Sequence, residues 1–200
     1  TKLLNKHFRA DDDMSPQDPY GISKAEAEQG LRDIAKNTGM EVVIIRPPLV
    51  YGPGVKANFA AMMKLASLGI PLPLGGVTNN RRSLVYVDNL VDLIVTCISH
   101  PKAANQTFLV SDDDDLSTTR MIKELSTALG KKGWLVPIPV IFFEILGKLT
   151  GKSAIIDRLC GSLQVDISKT KALLDWQPPV CVKDAFAKTA SHFLLNRKNK

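Results

Sequence analysis

Tyr20 and Lys24 stand four residues apart in the run Tyr20-Gly-Ile-Ser-Lys24. On a helix that spacing sets one side chain above the other on a single face. A phenol with a pKa of ~10 is a poor base at neutral pH, and a neighbouring ammonium favours its charged form. Such a pair can take the hydroxyl proton of a carbinol as hydride leaves its carbon, or return it as a ketone is reduced. The ammonium is also suited to hydrogen-bond a nicotinamide ribose, so one lysine can serve two tasks. The same spacing arises on many solvent-facing helices, and the surrounding elements decide whether it serves a site.

Those elements read as follows. Residues 1–18 have little periodicity, carry Asp11, Asp12 and Asp13, and read as loop. Ala25, Ala27, Leu31, Ile34 and Ala35 recur at helical spacing and predict one apolar face, with Gly39 as the stop. The β-branched run Val42-Val43-Ile44-Ile45 predicts a parallel strand buried on both faces. Residues 46–54, rich in Pro and Gly, form a loop at that strand's carboxyl end, where open α/β sheets place their ligands. A helix over 57–68, closed by Gly69, and a strand over 83–87 follow. Asp88 is suited to cap a helix whose Leu90, Leu93, Ile94, Cys97 and Ile98 form one apolar stripe. A strand over 107–110, a helix capped by Ser117 and running to Gly130, a short strand at 164–166 and a helix over 169–174 come next. A last helix has Phe186, Ala190 and Phe193 in register. Alternating strands and helices indicate an α/β fold with a parallel sheet. Strong strands are too few for a complete doubly wound sheet, and no GxGxxG or GxxGxxG follows a strand.

Composition excludes several classes. With 44% hydrophobic and 23% charged residues the chain has the make-up of a globular protein. Cys97, Cys160 and Cys181 are widely spaced and form no CxxC, which supports neither a disulfide framework nor a zinc site, so no metal is expected. Thr1-Lys-Leu-Leu-Asn5 leads into a polar, acidic stretch without a signal-peptide pattern, and a cytoplasmic location is expected. No apolar run approaches the ~20 residues needed to span a bilayer. The nearest, 135–149, is interrupted by Pro137, Pro139, Glu144 and Lys148 and reads as a buried or lobe-capping helix, with interfacial contact as the alternative. The net charge of +6 lies partly at Arg197, Lys198 and Lys200 and lacks interleaved aromatics, so nucleic acid is not expected as a partner. A positive field favours anionic small substrates.

The stretch Pro19-Tyr-Gly-Ile-Ser-Lys-Ala-Glu-Ala-Glu28, followed by Arg46-Pro-Pro-Leu-Val-Tyr-Gly-Pro-Gly54, resembles the extended short-chain dehydrogenase/reductase family. The likeness is to its NAD-dependent epimerase/dehydratase branch, which acts on nucleotide sugars, and it runs from about residue 18 to residue 179. It implies the C-terminal portion of an NAD(P)-binding Rossmann fold, a doubly wound parallel sheet, with a small, mainly helical substrate lobe. Residues 1–50 would be the rear of the dinucleotide-binding domain, with 88–110 returning to it, and 51–200 mostly substrate lobe. The resemblance makes Tyr20 and Lys24 catalytic and cofactor-binding, and sets Pro47 and Pro48 beside the nicotinamide end of NAD, with NADP not excluded. It assigns Asn58, Arg82 and, on a looser alignment, Arg158 to the substrate diphosphate. Leu49 stands where some epimerases have asparagine. Asp88 reads as a cap rather than a catalyst, and Asp175-Trp176-Gln-Pro-Pro179 matches a structural closing signature.

The family's glycine-rich loop, its ribose-reading acid and its catalytic Ser or Thr lie further forward and have no counterpart here; neither Ser15 nor Ser23 is placed to substitute. The expectation is an N-terminally truncated chain that alone binds NAD weakly and turns over little. The expected activity of the parent is a nucleotide-sugar 4-epimerase of the UDP-glucose/UDP-N-acetylglucosamine type. The alternatives are a UDP-4-keto-sugar reductase of O-antigen or capsule synthesis, and a 3β-hydroxysteroid-type dehydrogenase, which Asn58 and Arg82 fit less well. From another class comes a non-catalytic nucleotide-binding or interaction module. A homodimer is possible by analogy.

Overall fold

The computed structural model describes residues 7–13, 15, 16 and 18–198, apart from the side chains of Ala57, Asn58 and Lys198. The first element, α1 (Pro19–Thr38), starts where Asp18, extended at φ −135°, accepts a 2.7 Å hydrogen bond from the Gly21 N–H. Pro19 occupies the first turn, where a missing N–H costs nothing. The helix ends at Gly39, whose φ of 73° few side chains tolerate and whose N–H returns to the Ala35 carbonyl.

Then follow β1 (Ile44–Arg46), β2 (Leu49–Tyr51), α2 (Ala57–Ser67), β3 (Leu84–Tyr86), α3 (Val87–Ser99) and β4 (Thr107–Leu109). The chain continues through α4 (Thr118–Ala128), α5 (Val140–Leu149), α6 (Ser153–Cys160), α7 (Ser168–Leu174) and α8 (Val182–Lys198). Helices make up roughly half of it. The strands pair in parallel, β1 with β4 (Ile44 opposite Thr107) and β2 with β3 (Leu49 opposite Leu84). The α/β class with parallel strands stands, as two short ladders among the described residues.

The main core lies between β2, β3, α2, α4 and α8. Tyr51 stacks on Phe59 at 5.0 Å and meets Phe186 edge-on at 5.1 Å, and Tyr86, Met63 and Leu125 close around them. Aromatic pairs of this geometry add to what area burial alone provides. A second cluster, with Val85, Leu93, Phe108 and Trp176, joins α3 and α7 to β4. A third, around Leu74 and Ile122, lies under α5 and α6. Trp176, in the closing signature, donates from Nε1 to Asp92 at 2.7 Å.

Several sequence expectations change. The apolar face predicted for α1 is largely open: Leu31 and Ile34 are exposed, and the one buried residue of the helix is Glu28. Helical spacing locates a face but says nothing of what covers it. The β-branched run forms a strand only from Ile44, half-buried rather than buried on both faces. The 46–54 loop contains β2, hidden in the sequence because Pro47, Pro48, Gly52 and Gly54 bracket three strand residues. Asp88 does not cap α3; Tyr86 holds that position, and Asp88 lies in the first turn, where a carboxylate suits the helix's positive end. Leu93 and Cys97 are buried as expected, whereas Ile94 and Ile98 face outward. The 164–166 strand reduces to a bridge between Val165 and Phe8. Residues 140–149 form a helix whose outer side is open, so it is not a buried helix. Among the described residues no helix is long and apolar enough to cross a membrane, and no cluster of His, Cys, Asp or Glu could hold a metal ion.

Candidate active site

Tyr20 lies in the first turn of α1 with 72% of its surface exposed. Lys24 follows one turn later, and its Nζ stands 5.5 Å from the centre of the Tyr20 ring, so the two side chains share a face as their spacing requires. Ser23 turns its Oγ back to the Tyr20 carbonyl at 2.8 Å. Beside this face runs a groove of about 400 Å³. Gly21, Lys24 and Glu28 border it from α1, Pro47 and Pro48 from the loop after β1, and Val165 from the segment before α7. Lys24, Pro47 and Pro48 are thus brought together, whereas Tyr20 does not line the groove and is tied to it through its neighbour Lys24. Neither proline has an N–H, so this wall can offer a ligand only carbonyl acceptors and ring carbons.

Glu28 is what holds the two walls in place. Its carboxylate accepts from Arg46 Nη2 at 2.6 Å and Nε at 3.0 Å, and from Arg32 Nη2 at 2.7 Å. Arg32 also donates to Thr107 Oγ1 at 2.8 Å, which ties α1 to β4. Arg46 is the last residue of β1 and directly precedes Pro47-Pro48. Burial by itself would raise the Glu28 carboxyl, but the hydrogen bonds and charges of Arg46 and Arg32 outweigh it and hold it below its ordinary range. Sequence reasoning passed over Glu28. The available signal was its place four residues after Lys24 and eight after Tyr20, on the same helical face.

The diphosphate candidates lie apart from this groove. Arg82, half-buried, donates from Nη1 to the Arg158 carbonyl, and its backbone is clamped between Leu116 and Leu163. Leu163 also borders the groove, so the Arg82 backbone and the Lys24 wall share a neighbour. No carboxylate among the described residues pairs with Arg82, and burial pushes its guanidinium below its ordinary value. Arg158 is joined to Arg82 through its backbone, with its own side chain open to solvent. The Asn58 side chain lies outside the described residues.

A buried polar network holds the Tyr51-Gly52-Pro53-Gly54 turn. Tyr51 Oη donates to Asp112 Oδ2 at 2.7 Å, while Oδ1 of the same carboxylate accepts from the Tyr86 N–H and Asn89 Nδ2, both at 2.8 Å. Asn89 in turn exchanges hydrogen bonds with the backbone of Val180. Burial pushes both the Tyr51 hydroxyl and the Asp112 carboxyl up from their ordinary values. Gly52 has φ 151°, and a Cβ there would sit 2.6 Å from Val87 Cγ1, so no larger residue fits. Gly54 donates its N–H to His192 Nδ1 at 3.1 Å, which fixes the turn against α8.

Residues 5–111 match the NAD dependent epimerase/dehydratase family. The chain is 59% identical over 192 residues to UDP-glucose 4-epimerase of Vibrio cholerae, covering 96% of this chain and 58% of that protein. It is 31% identical to N-acetyl-alpha-D-glucosaminyl-diphospho-ditrans,octacis-undecaprenol 4-epimerase of Escherichia coli O157:H7, over 83% of this chain and 54% of that one. Among solved structures, UDP-glucuronic acid 4-epimerase from Bacillus cereus in complex with NAD superposes with a TM-score of 0.72 at 21% identity, over 94% of this chain and 56% of its own, a likeness of fold. The chain thus spans little more than half the length of these relatives. By the extent of the family match and the identity to the Vibrio protein, it belongs to the NAD dependent epimerase/dehydratase family.

Proposed function

We propose that these residues supply the proton-transfer and substrate-holding part of a cytoplasmic NAD-dependent nucleotide-sugar 4-epimerase acting on UDP-glucose or a close analogue. The observation that carries the reading is Lys24, which shares a face with Tyr20 and lines the groove with Pro47 and Pro48, in a chain 59% identical to a UDP-glucose 4-epimerase. NAD, when bound, supplies a hydride acceptor and then a donor. The donor set suits its nicotinamide end: Lys24 has N–H groups for ribose hydroxyls, and the prolines have carbonyls for a carboxamide.

Tyr20 Oη takes the proton of the sugar C4 hydroxyl as the hydride leaves C4, which becomes a ketone. The Lys24 ammonium favours the charge moving through the phenol by Coulomb attraction. After the sugar turns, Tyr20 returns the proton to the C4 oxygen as hydride arrives on the opposite face. Arg82 would hold the diphosphate, to whose oxygens its planar fork is suited, with Arg158 and Asn58 beside it. On this reading residues 1–50 and 88–110 form the rear of the dinucleotide-binding part and 51–200 most of the substrate lobe; the β1–β4 pairing supports that division. A homodimer through the open side of α1 belongs to the same reading and is tested by sedimentation velocity.

The decisive experiment joins this chain to the front part of the Vibrio cholerae relative and assays interconversion of UDP-glucose with its C4 epimer. Tyr20→Phe should lower turnover by about 10²–10⁴-fold. Unchanged turnover would remove Tyr20 from the chemistry. If the joined protein interconverts nothing yet oxidises NADPH with a 4-keto nucleotide sugar, a reductase is the better description.

A further inference from the structure

The packing of α5 onto α6 leaves an apolar surface that the proposed chemistry does not use. Gly147 is buried at their crossing, where a Cβ would meet Ile156 Cγ1 at 2.8 Å and Ser153 Cα at 3.3 Å. The close approach spends the Gly147 side of α5 on α6 and turns the rest outward. Ile141, Phe142, Ile145, Leu146 and Leu149 form one continuous arc of the helix, and all five are exposed, Phe142 by 61% and Leu149 by 80%. Trp134 stands just before this helix and is also exposed, on a segment pinned by the 2.9 Å bond from the Leu72 N–H to the Trp134 carbonyl.

We infer that this α5 face docks onto an anionic lipid surface, lying in the plane of the interface. Charge selects that occupant. Residues 131–160 hold five cationic side chains, including Lys148 in the last turn of α5 and Lys152 just before α6, against two acids, Glu144 and Asp157. An apolar arc with an exposed tryptophan and flanking lysines suits the boundary between headgroups and acyl chains. A second copy of the chain is disfavoured, because a two-fold pairing lays the same net positive patch against itself. At 10 residues α5 is far short of the ~20 that span a bilayer, so it can only lie at the surface. The open face of α3, with Val95 and Ile98, makes the contrast: its flanking charges are Asp88 and Asp92, with no lysine or arginine in the helix.

The test is co-flotation of the chain with vesicles of phosphatidylcholine mixed with phosphatidylglycerol, and with vesicles of phosphatidylcholine alone. The expected result is capture by the mixed vesicles, weakened by salt, with a blue shift in Trp134 emission that Trp134→Phe removes. Phe142→Glu together with Leu146→Glu should abolish capture. Lys148→Gln with Lys152→Gln should lower it roughly thirtyfold, and Val95→Glu with Ile98→Glu should leave it unchanged. All these side chains are exposed, and circular dichroism checks that each variant folds. Capture that ignores the anionic lipid, capture that survives Phe142→Glu with Leu146→Glu, or a solution dimer dissolved by that double variant without any flotation would each overturn the inference.

Discussion

The helix that carries Tyr20 and the helix that closes the core, α1 and α8, are of similar length and are attached by opposite means. Along α1 the one buried side chain is a carboxylate, Glu28, and the contacts that hold it are charged or polar. Along α8, Val182, Ala185, Phe186, Thr189 and Ala190 are all buried, and Phe186 reaches both Tyr51 and Phe59. Apolar burial is non-directional and adds up with area, whereas an ion pair stabilises only while its geometry and protonation persist. Tyr20 and Lys24 therefore ride on the element whose attachment is more sensitive to conditions, and the scaffold rests on the one that is less so.

This contrast can be broken by experiment. Phe186→Ala should have the largest effect, about 3–5 kcal/mol of global stability in urea unfolding, because it opens a cavity inside an aromatic cluster. Glu28→Gln should cost about 3 kcal/mol by leaving Arg46 poorly paired, and hydrogen exchange should place that loss in α1 and the 46–48 turn. A loss spread evenly over α8 would show the two helices to be one cooperative unit. Tyr51→Phe should cost about 1–3 kcal/mol, since Asp112 Oδ2 loses its donor in a buried setting. The smallest effects belong to the caps: Asp18→Ala and Ser117→Ala should each cost about 1 kcal/mol, the first fraying only α1 and the second registering in global unfolding.

Acid should separate the regions as well. Glu28 titrates below its ordinary value of 4.5 when folded, so its contribution is present above that pH and is lost as pH falls through the lowered value. Asp112 is raised above 3.8, and its contribution runs the other way: it is present below that pH and lost as pH rises through the folded value. Acidification should release α1 amides to exchange before those of α8. Simultaneous release would remove the distinction.

Local signals in the sequence carried far. Gly39 ends α1 where a left-handed residue was needed, Ser117 caps α4 through its bond from the Arg120 N–H, and Phe186 and Ala190 line the buried side of α8. Tyr20 and Lys24 were legible because i,i+4 spacing on a helix is a local matter. What covers each face was not legible. Leu31, Ile94 and Ile98 have helical spacing yet remain exposed, and Glu28 gains its role only when Arg46 arrives from a different element. Strand β2 was hidden by the prolines and glycines that bracket it, and its pairing with β3 reveals it. Arg82 and Arg158 meet through a guanidinium and a carbonyl, a contact that no side-chain pattern encodes.

The bond from Gly54 to His192 joins positions 138 residues apart. During synthesis, the turn after β2 must wait for the 138 residues that separate it from His192 before that partner exists. Contacts between such distant segments carry a high closure cost and form late. A nascent chain paused before α8 would present Tyr51, Phe59 and Tyr86 together to water, an invitation to chaperones or to other unfinished chains. Emergence of α8 covers those rings and braces the Gly54 turn in one event, so the maturing protein gains its core and the turn after β2 at the same moment.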